Sequence, residues 1–485
     1  MSKVFALVDC NNFYASCEKL FRPDLASKAV VVLSNNDGCV IARSREAKAL
    51  GISMGVPYFQ IKEQVAAHDV VVFSSNYALY ADISARVMST LEQLAPKVEV
   101  YSIDEAFLDI SGISACTDVT EFGFNVRKTI SDWIGMTVCV GVAPSKTLAK
   151  LANHAAKKWQ KTAGVVDLTD TVRQRKLMAL LPVSEVWGIG GQLTKRLNAI
   201  GIYTALQLAD APAKMLRRQF SVVMERTVAE LNGESCLALE SVASNKKEIV
   251  SSRAFSERIT DIAQMQQAVA EYVHRACEKL RAQQSRAKQL TVFVRTSPFS
   301  DAGKEPFYSN SATGVLVHPS DDTRDFLHLA QTLLRKIWKD GYRYAKSGVM
   351  LADFYDDNIE QFQLFGDMTF ADPEQSLIDK AASLPALSLH EPAASYRASP
   401  SNVAATPALT RQQCSHNGAA AVEGCDRQQQ TLMAVIDAIN QTGHGKVFFA
   451  AKGISQHWAM KRQLLSPAYT TQWTEIPKVG AGRIR

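Results

Sequence analysis

The chain opens with Val4 to Val8, an almost unbroken apolar run that stops at Asp9. This is the pattern of a strand buried on both faces that delivers one polar side chain at its tip. From Phe13 to Leu20 the spacing turns helical, and Val30 to Leu33 reads as a second strand followed by the loop SNNDGC. Val40 to Ala42 then leads into a helix running through Glu46 and Lys48 to Gly51, and Tyr77 to Leu94 is a longer helix that stops before Pro96. Val98 to Ile103 and Ala106 to Ile110 are β-prone runs joined at Asp104-Glu105, which predicts a hairpin with an acidic pair at its turn. A helix over 118–134, a strand over 137–142 and a helix over 145–158 complete a mixed section of the α/β or α+β class.

Leu177 to Gly233 shows no strand pattern and reads as helical, while the polar, basic stretch 245–248 reads as a linker. Ile249 to Asp353 then alternates strand, helix (Met265 to Gln284), two strands (Gln289 to Thr296 and about Gly314 to Val317), helix (Thr323 to Trp338) and strand (Ser347 to Phe354). From Leu384 to Gln430 the chain is dominated by Ala, Ser, Pro and Gln, a composition expected to stay flexible because it buries too little surface to order itself. A short amphipathic helix is predicted over Leu432 to Ile439 and a short strand over Lys446 to Ala450. The fold class is therefore α+β and multidomain, as the length of 485 residues also suggests.

Composition narrows the class. With 47% apolar and 21% charged residues the chain can build several cores. Its apolar runs are strand-length, so no membrane partner is expected, and the first residues lack the features of a signal peptide, which points to the cytoplasm. The nine cysteines are scattered, without a CxxC pair or a zinc-like Cys/His quartet, and reduced thiols are expected. A net charge of +6 is compatible with a polyanionic partner without demanding one.

Asp9, Asp104 and Glu105 carry the strongest chemical signal. Taken singly they read as ordinary turn residues. Together they are carboxylates at the ends of separate strands, as nucleotidyl transfer on two Mg²⁺ ions requires, since Mg²⁺ favours a few carboxylates plus substrate phosphates.

The strings VDCNNFYASCE, VVVLSNNDGCVIARSREAKALGISMG, YSIDEAFLDI, VGVAPSKTLAKLANHAAKKW and PVSEVWGIG resemble the Y-family of translesion DNA polymerases, and within it the UmuC-like catalytic subunits of bacterial DNA polymerase V and their plasmid-borne relatives. The resemblance spans the chain apart from 384–430. It implies a right-hand polymerase: palm and fingers over 1–176 (fingers about 22–76), a helical thumb over 177–240, a linker over 241–248, a little finger over 249–356, a clamp-binding segment over 357–383, a flexible linker over 384–430 and a C-terminal interaction tail over 431–485. The implied reaction is template-directed addition of dNTPs to a primer terminus opposite damaged bases in the SOS response. It makes Asp9, Asp104 and Glu105 the metal-binding catalytic carboxylates, with the Cys10 carbonyl completing one shell. Tyr14 becomes the steric gate that excludes a 2′-hydroxyl by clash. Arg45, Lys48 and Lys157 become triphosphate ligands, and Val40, Ile41 and Ala42 the roof over the nascent base pair. Outside the UmuC-like group, many relatives carry Tyr and Arg at the positions of Arg45 and Lys48.

VWGIGGQLTKRL resembles a helix-hairpin-helix, in which Gly188, Gly190 and Gly191 let backbone amides approach a DNA phosphate while Lys195 and Arg196 add charge. Lys246, Lys247, Arg253, Arg258, Arg286, Lys288 and Arg295 concentrate positive charge in the 245–296 stretch, a candidate surface for primer-template DNA. Gln361-Phe362-Gln363-Leu364-Phe365 fits a β sliding clamp motif, with Gln361, Leu364 and Phe365 as anchors. The tail resembles the region that in UmuC-like subunits is associated with a UmuD′-like homodimer and the RecA filament. Trp458, Met460, Lys461 and Arg462 are its candidate contacts, read as an exposed aromatic beside cations. Two other functions remain open at this level: another palm-type nucleotidyl transferase, and a non-catalytic DNA-binding scaffold that recruits clamp and RecA.

Overall fold

The opening apolar run forms β1 (Phe5–Cys10), buried at every position, in a computed structural model that describes residues 3–113, 116–240, 245–299, 306–356, 432–442, 447–453 and 458–476. The chain continues through α1 (Phe13–Leu20), β2 (Val30–Leu33), β3 (Val40–Arg43), α2 (Arg45–Ala49), α3 (Lys62–Ala67), β4 (Val71–Ser74) and α4 (Tyr77–Leu94). The hairpin β5 (Lys97–Val100) and β6 (Glu105–Asp109) follows, then α5 (Val119–Ile134), β7 (Val138–Ala143), α6 (Lys146–Lys158) and β8 (Val165–Asp167). Two sheets result, a five-stranded one in the order β5-β6-β1-β7-β8 and a small one in the order β3-β2-β4.

Strand alternation sorts the large sheet into two faces. Ala6 and Val8 join a core made with α1, α4 and α5, whereas Leu7 and Phe107 join a second core made with α6 and the helices beyond it. Asp9 shares the face of Leu7, so its carboxylate emerges on the side that α6 covers. α6 can lie close because Gly141 has no side chain, and a Cβ there would come within 2.3 Å of the Asn153 amide nitrogen. Asn153 fixes the approach by donating to the carbonyls of Leu7 at 3.2 Å and Cys139 at 2.8 Å.

The section after β8 is helical, as its pattern predicts: α7 (Thr171–Leu180), α8 (Gly191–Asn198), α9 (Ala205–Asp210), α10 (Ala213–Gln219) and α11 (Val222–Leu231). Next come β9 (Ile249–Ile259), α12 (Ile262–Ala282), β10 (Ser285–Thr296), β11 (Ser309–Ser320), α13 (Thr323–Ile337) and β12 (Tyr344–Asp356), an antiparallel sheet in the order β11-β10-β12-β9 with both helices on its apolar face. β10 and β11 are longer than the sequence pattern predicts. The added ends, Ser285 to Lys288 on β10 and Ser309 to Thr313 on β11, carry polar or small residues, so apolar runs mark only part of each strand.

The C-terminal region corrects two expectations. A helix occupies 432–442, but residues 447–449 form no strand and Ala450–Lys452 is a single 3-10 turn. Trp458 is not an exposed contact residue. It is only 5% exposed, inside the core of the four-stranded section, with its ring edge-on to Phe255 and Tyr272. A short apolar stretch, Trp458 to Met460, flanked by His457 and Lys461 has no helical or strand period that would show a distant domain burying its aromatic. From Trp458 the chain crosses to the small sheet, where the amides of Lys461 and Gln463 donate to Asn36 at 3.0 Å and Asp37 at 3.1 Å. It then reaches the first core, where Tyr469 stacks on Phe21 at 4.7 Å. No helix of the described residues is long and apolar enough to cross a membrane. The 384–430 stretch and the segment containing Gln361, Leu364 and Phe365 lie outside the described residues.

Gly141→Ala is expected to cost on the order of 1–3 kcal/mol by forcing α6 off the sheet. Gly112→Ala, where a Cβ meets nothing within 4 Å, is expected to be nearly neutral. Thermal denaturation of both variants checks this, and equal midpoints would contradict the close approach.

Candidate active site

β1 and β6 pair antiparallel with Asp9 directly opposite Glu105. One step further the Cys10 amide donates to the Asp104 carbonyl at 2.9 Å, so the backbone ladder itself gathers all three acidic positions. The turn before β6 is built by Ser102, whose hydroxyl accepts from the amides of Asp104 at 3.3 Å and Glu105 at 3.1 Å and donates to the Asp104 carboxylate at 2.7 Å.

α6 lays a row of lysines over this acidic end. Lys157 Nζ lies 2.5 Å from Asp9 Oδ2, and Lys150 Nζ lies 2.6 Å from Glu105 Oε2 while sitting 4.3 Å from the centre of the Tyr101 ring. Asp9 is 6% exposed. Burial pushes its carboxyl up to about 6, against the opposing pull of Lys157, and the nearby charges of Glu105 and Asp104 add to the rise.

Among the described residues no three His, Cys, Asp or Glu side chains form a ready enclosure for a metal ion as they stand. Each carboxylate instead faces its own partner: Lys157, Ser102 or Lys150. The donors nevertheless fit a small hard divalent cation. They are oxygens only, two carboxylates on paired strands and a third at the adjoining turn, with the Cys10 carbonyl at the same strand end.

Tyr14, on α1, stacks face to face on Tyr80 of α4 at 4.4 Å and 16°, and Tyr77 meets it edge-on at 6.3 Å. Lys48 reaches toward β1 and donates to Asn12 Oδ1 at 2.5 Å. Its own burial, followed by the charges of Arg43 and Lys157, holds its pKa below the usual lysine range. Arg45, on α2, is exposed.

Arg43 was not singled out in the sequence. It belongs with this group of cations, donates to the Ile52 carbonyl at 2.6 Å and keeps a buried Nε without a hydrogen-bond partner. Its signal was its place on β3, two residues after Ile41 and therefore on the same strand face. Lys150 was equally legible, since residues 150 and 157 fall two turns apart on one helix face.

Of the three proposed roof residues, Val40 is 0% exposed within the small sheet's own core, and Ala42 is buried in the first core. Only Ile41 is half-buried. Val40 is thus corrected from a surface to a core residue.

Gly188, Gly190 and Gly191 are exposed at the entry to α8, where a Cβ on any of them would meet nothing within 4 Å. Lys195 is exposed, but Arg196 is engaged locally, its guanidinium 4.5 Å over the Phe220 ring and donating to the Gln219 carbonyl at 2.8 Å. On β10, Arg286, Lys288 and Arg295 alternate with the buried Ala287, Leu290, Val292 and Val294, which puts them on the face away from the helices. Lys246 and Lys247 are exposed ahead of β9, and Arg258 near its end is half-buried. Arg253 does not share the open face. It has the parity of the buried Ser251 and Phe255, lies near Tyr272 and Arg275 of α12, and donates to Met460 Sδ at 3.8 Å. Lys461 pairs with Glu257 at 3.1 Å, and Arg462 is exposed.

Comparisons with known proteins agree with this architecture. Residues 8–154 match the impB/mucB/samB family, residues 246–364 its C-terminal domain, and residues 430–479 a domain of unknown function (DUF4113). The chain is 48% identical to the UmuC protein of Salmonella typhimurium over 478 residues, covering 98% of this chain and 100% of that one. It is 28% identical to DNA polymerase IV of Pelotomaculum thermopropionicum, over 74% of this chain and 87% of that one. Among solved structures, a Y-family DNA polymerase chimera of Dbh and Dpo4 shares the fold with a TM-score of 0.58 at 22% identity, over 73% of this chain and 99% of that one.

Because burial raises the Asp9 carboxyl from 3.8 to about 6, its contribution to stability is complete below the lower value and lost as pH climbs through the higher one. Asp9→Asn removes that loss. In the absence of divalent cations its stability advantage over the wild type is expected to grow by on the order of 1 kcal/mol between pH 5 and pH 8. Denaturant titrations at both pH values measure it, and a pH-independent difference would contradict a raised Asp9.

Proposed function

The chain belongs to the impB/mucB/samB family, the UmuC-like Y-family DNA polymerases, and from that premise we propose that Asp9, Asp104 and Glu105 are the catalytic carboxylates of a translesion polymerase that extends a primer opposite damaged bases. It is a DNA-directed DNA polymerase. In the proposed reaction the primer 3′-hydroxyl attacks the α-phosphorus of a dNTP and pyrophosphate leaves. The Asp9, Asp104 and Glu105 oxygens would hold two Mg²⁺ ions, which would lower the pKa of the attacking hydroxyl and offset charge at the phosphates.

The chain's own residues do the rest. The β1–β6 ladder holds the carboxylates in fixed register, which is the observation that carries the reading. Lys157 neutralises Asp9 in this structure, and its partly exposed ammonium is free to meet a phosphate once Asp9 is otherwise compensated. Lys48, Arg43 and Arg45 approach from the small sheet and its helix and offset charge on the departing pyrophosphate. The Tyr14 ring lies beneath the sugar and rejects ribonucleotides by clash. Ile41, with Ala42 behind it, leaves a small apolar surface over the nascent pair that excludes misfits poorly. The glycine-lined entry to α8 with Lys195, and the outer face of β10 with Arg286, Lys288 and Arg295, hold primer-template DNA through its backbone.

The setting we propose is the SOS response in the cytoplasm, at the nucleoid. There Gln361, Leu364 and Phe365 dock on the sliding clamp, and the C-terminal region meets a UmuD′-like dimer and the RecA filament. Lys461 and Arg462 are the exposed candidates for those contacts.

Primer extension with Mg²⁺, clamp, UmuD′ and activated RecA on intact and abasic templates tests the site. Wild type is expected to extend both, and Asp104→Ala to lose at least about 100-fold in rate. Equal extension would remove the carboxylate assignment, and DNA binding by a wild type that never extends would favour the scaffold. Tyr14→Ala is expected to raise the ratio of ribonucleotide to deoxyribonucleotide insertion, and an unchanged ratio would place the gate elsewhere.

A further inference from the structure

Glu18 lies in α1 with 0% exposure, an expensive place for a carboxyl that the polymerase reaction does not use. Its Oε1 accepts the Tyr80 hydroxyl at 2.6 Å, while its Oε2 has no well-formed hydrogen bond. The Ser466 hydroxyl lies close enough to oppose the rise that burial causes in its pKa, to about 7. Tyr80 in turn carries the Tyr14 ring stacked at 4.4 Å, and Tyr77 meets both rings edge-on at 6.3 Å. A buried acid thus locks, through one phenol, the ring proposed to sense the sugar.

The back of this lock is closed from far along the chain. Ser74 and Leu464 exchange two hydrogen bonds at 2.8 and 3.0 Å. Asn76 caps α4 by accepting the Leu79 amide, and its Nδ2 donates to Ser466 Oγ at 3.0 Å and to the carbonyls of Ser466 and Pro467 at 3.3 and 3.4 Å. Tyr469 then stacks on Phe21, one residue past the end of α1. The C-terminal segment therefore seats on the two helices that carry Tyr14, Tyr77 and Tyr80.

We propose that Tyr80 and Glu18 are positioning residues for sugar discrimination, and that the seated segment around Ser466 completes the hold, so that exclusion of ribonucleotides depends on the docking of the C-terminal segment. The inference rests on the reading of Tyr14 as the gate. Exclusion by clash works only while the ring cannot yield. A tyrosine that has lost the ring beneath it, or whose supporting helices have shifted, turns to a neighbouring rotamer well at small cost and admits the extra hydroxyl.

The test compares kcat/KM for a dNTP and its matching rNTP on an undamaged primer-template, using the full chain with its accessory proteins. The variants are Tyr14→Ala, Tyr80→Leu, Tyr80→Phe and the double variant Ser466→Ala/Tyr469→Ala. The ratio of the two constants is the readout, because a merely structural role lowers both together and leaves it unchanged. Tyr80→Leu is expected to reduce discrimination about tenfold or more, with smaller losses in the same direction for Tyr80→Phe and the double variant. Should Tyr80→Leu not fold, the other two carry the test.

If Tyr14→Ala leaves the ratio unchanged, the gate reading fails and the inference goes with it. If Tyr14→Ala collapses discrimination while the Tyr80 variants preserve it, the gate stands and the inference is overturned. A shift in the Tyr80 variants with none in the double variant overturns the dependence on the C-terminal segment.

Discussion

The antiparallel ladder between β1 and β6 is the constraint on which the rest depends. Side chains alternate along a strand, so a slip of one residue would carry Asp9 from the α6 face into the apolar core formed with α1, α4 and α5. The register that places Phe5 opposite Asp109 and Leu7 opposite Phe107 also places Asp9 opposite Glu105. The apolar residues thus enforce the position of the acids: Ala6, Val8, Ala106 and Leu108 have one core to fill, and only one register lets them fill it.

Three carboxylates held together this way would repel one another without compensation. α6 provides it, with Lys157 on Asp9 and Lys150 on Glu105, and the close approach at Gly141 brings that helix within reach. The compensation is incomplete at Asp9, where desolvation outweighs the lysine. A site poised in this way favours any cation that satisfies the oxygens better than an ammonium does. In the proposed reaction the displaced lysines would stand beside the incoming triphosphate. On that proposal, folding and nucleotide binding draw on the same charges.

Much of this was legible because it is local. The apolar run ending in Asp9, the acidic hairpin and the helices over 77–94 and 146–158 follow from periodicity alone, and the motif strings tie them to a polymerase. Features set by distant contacts were not legible. Trp458 reads as an exposed aromatic beside the cations Lys461 and Arg462, yet it finishes the core of a section some two hundred residues earlier in the chain. Arg253 looks like one more surface cation until the pairing of β9 with β12 turns it toward α12. Val40 matched a roof position by motif, but its side chain is claimed by the small sheet's core. Arg43 and Lys150 are legible only from the spacing, as members of a strand face and a helix face rather than of a motif position.

The C-terminal segment changes the picture of the molecule from a catalytic body with an appended tail to one in which residues 458–476 touch three sections at once. The carboxylate site remains the centre of the account. Its most direct test is anomalous diffraction at the manganese edge from crystals of the chain bound to primer-template and a non-hydrolysable dNTP, with Mn²⁺ standing in for Mg²⁺. The account predicts two peaks within bonding distance of the Asp9, Asp104 and Glu105 carboxylates, with Lys157 moved off Asp9. Peaks elsewhere, or an Asp9 still held by Lys157 in the ternary complex, would contradict it.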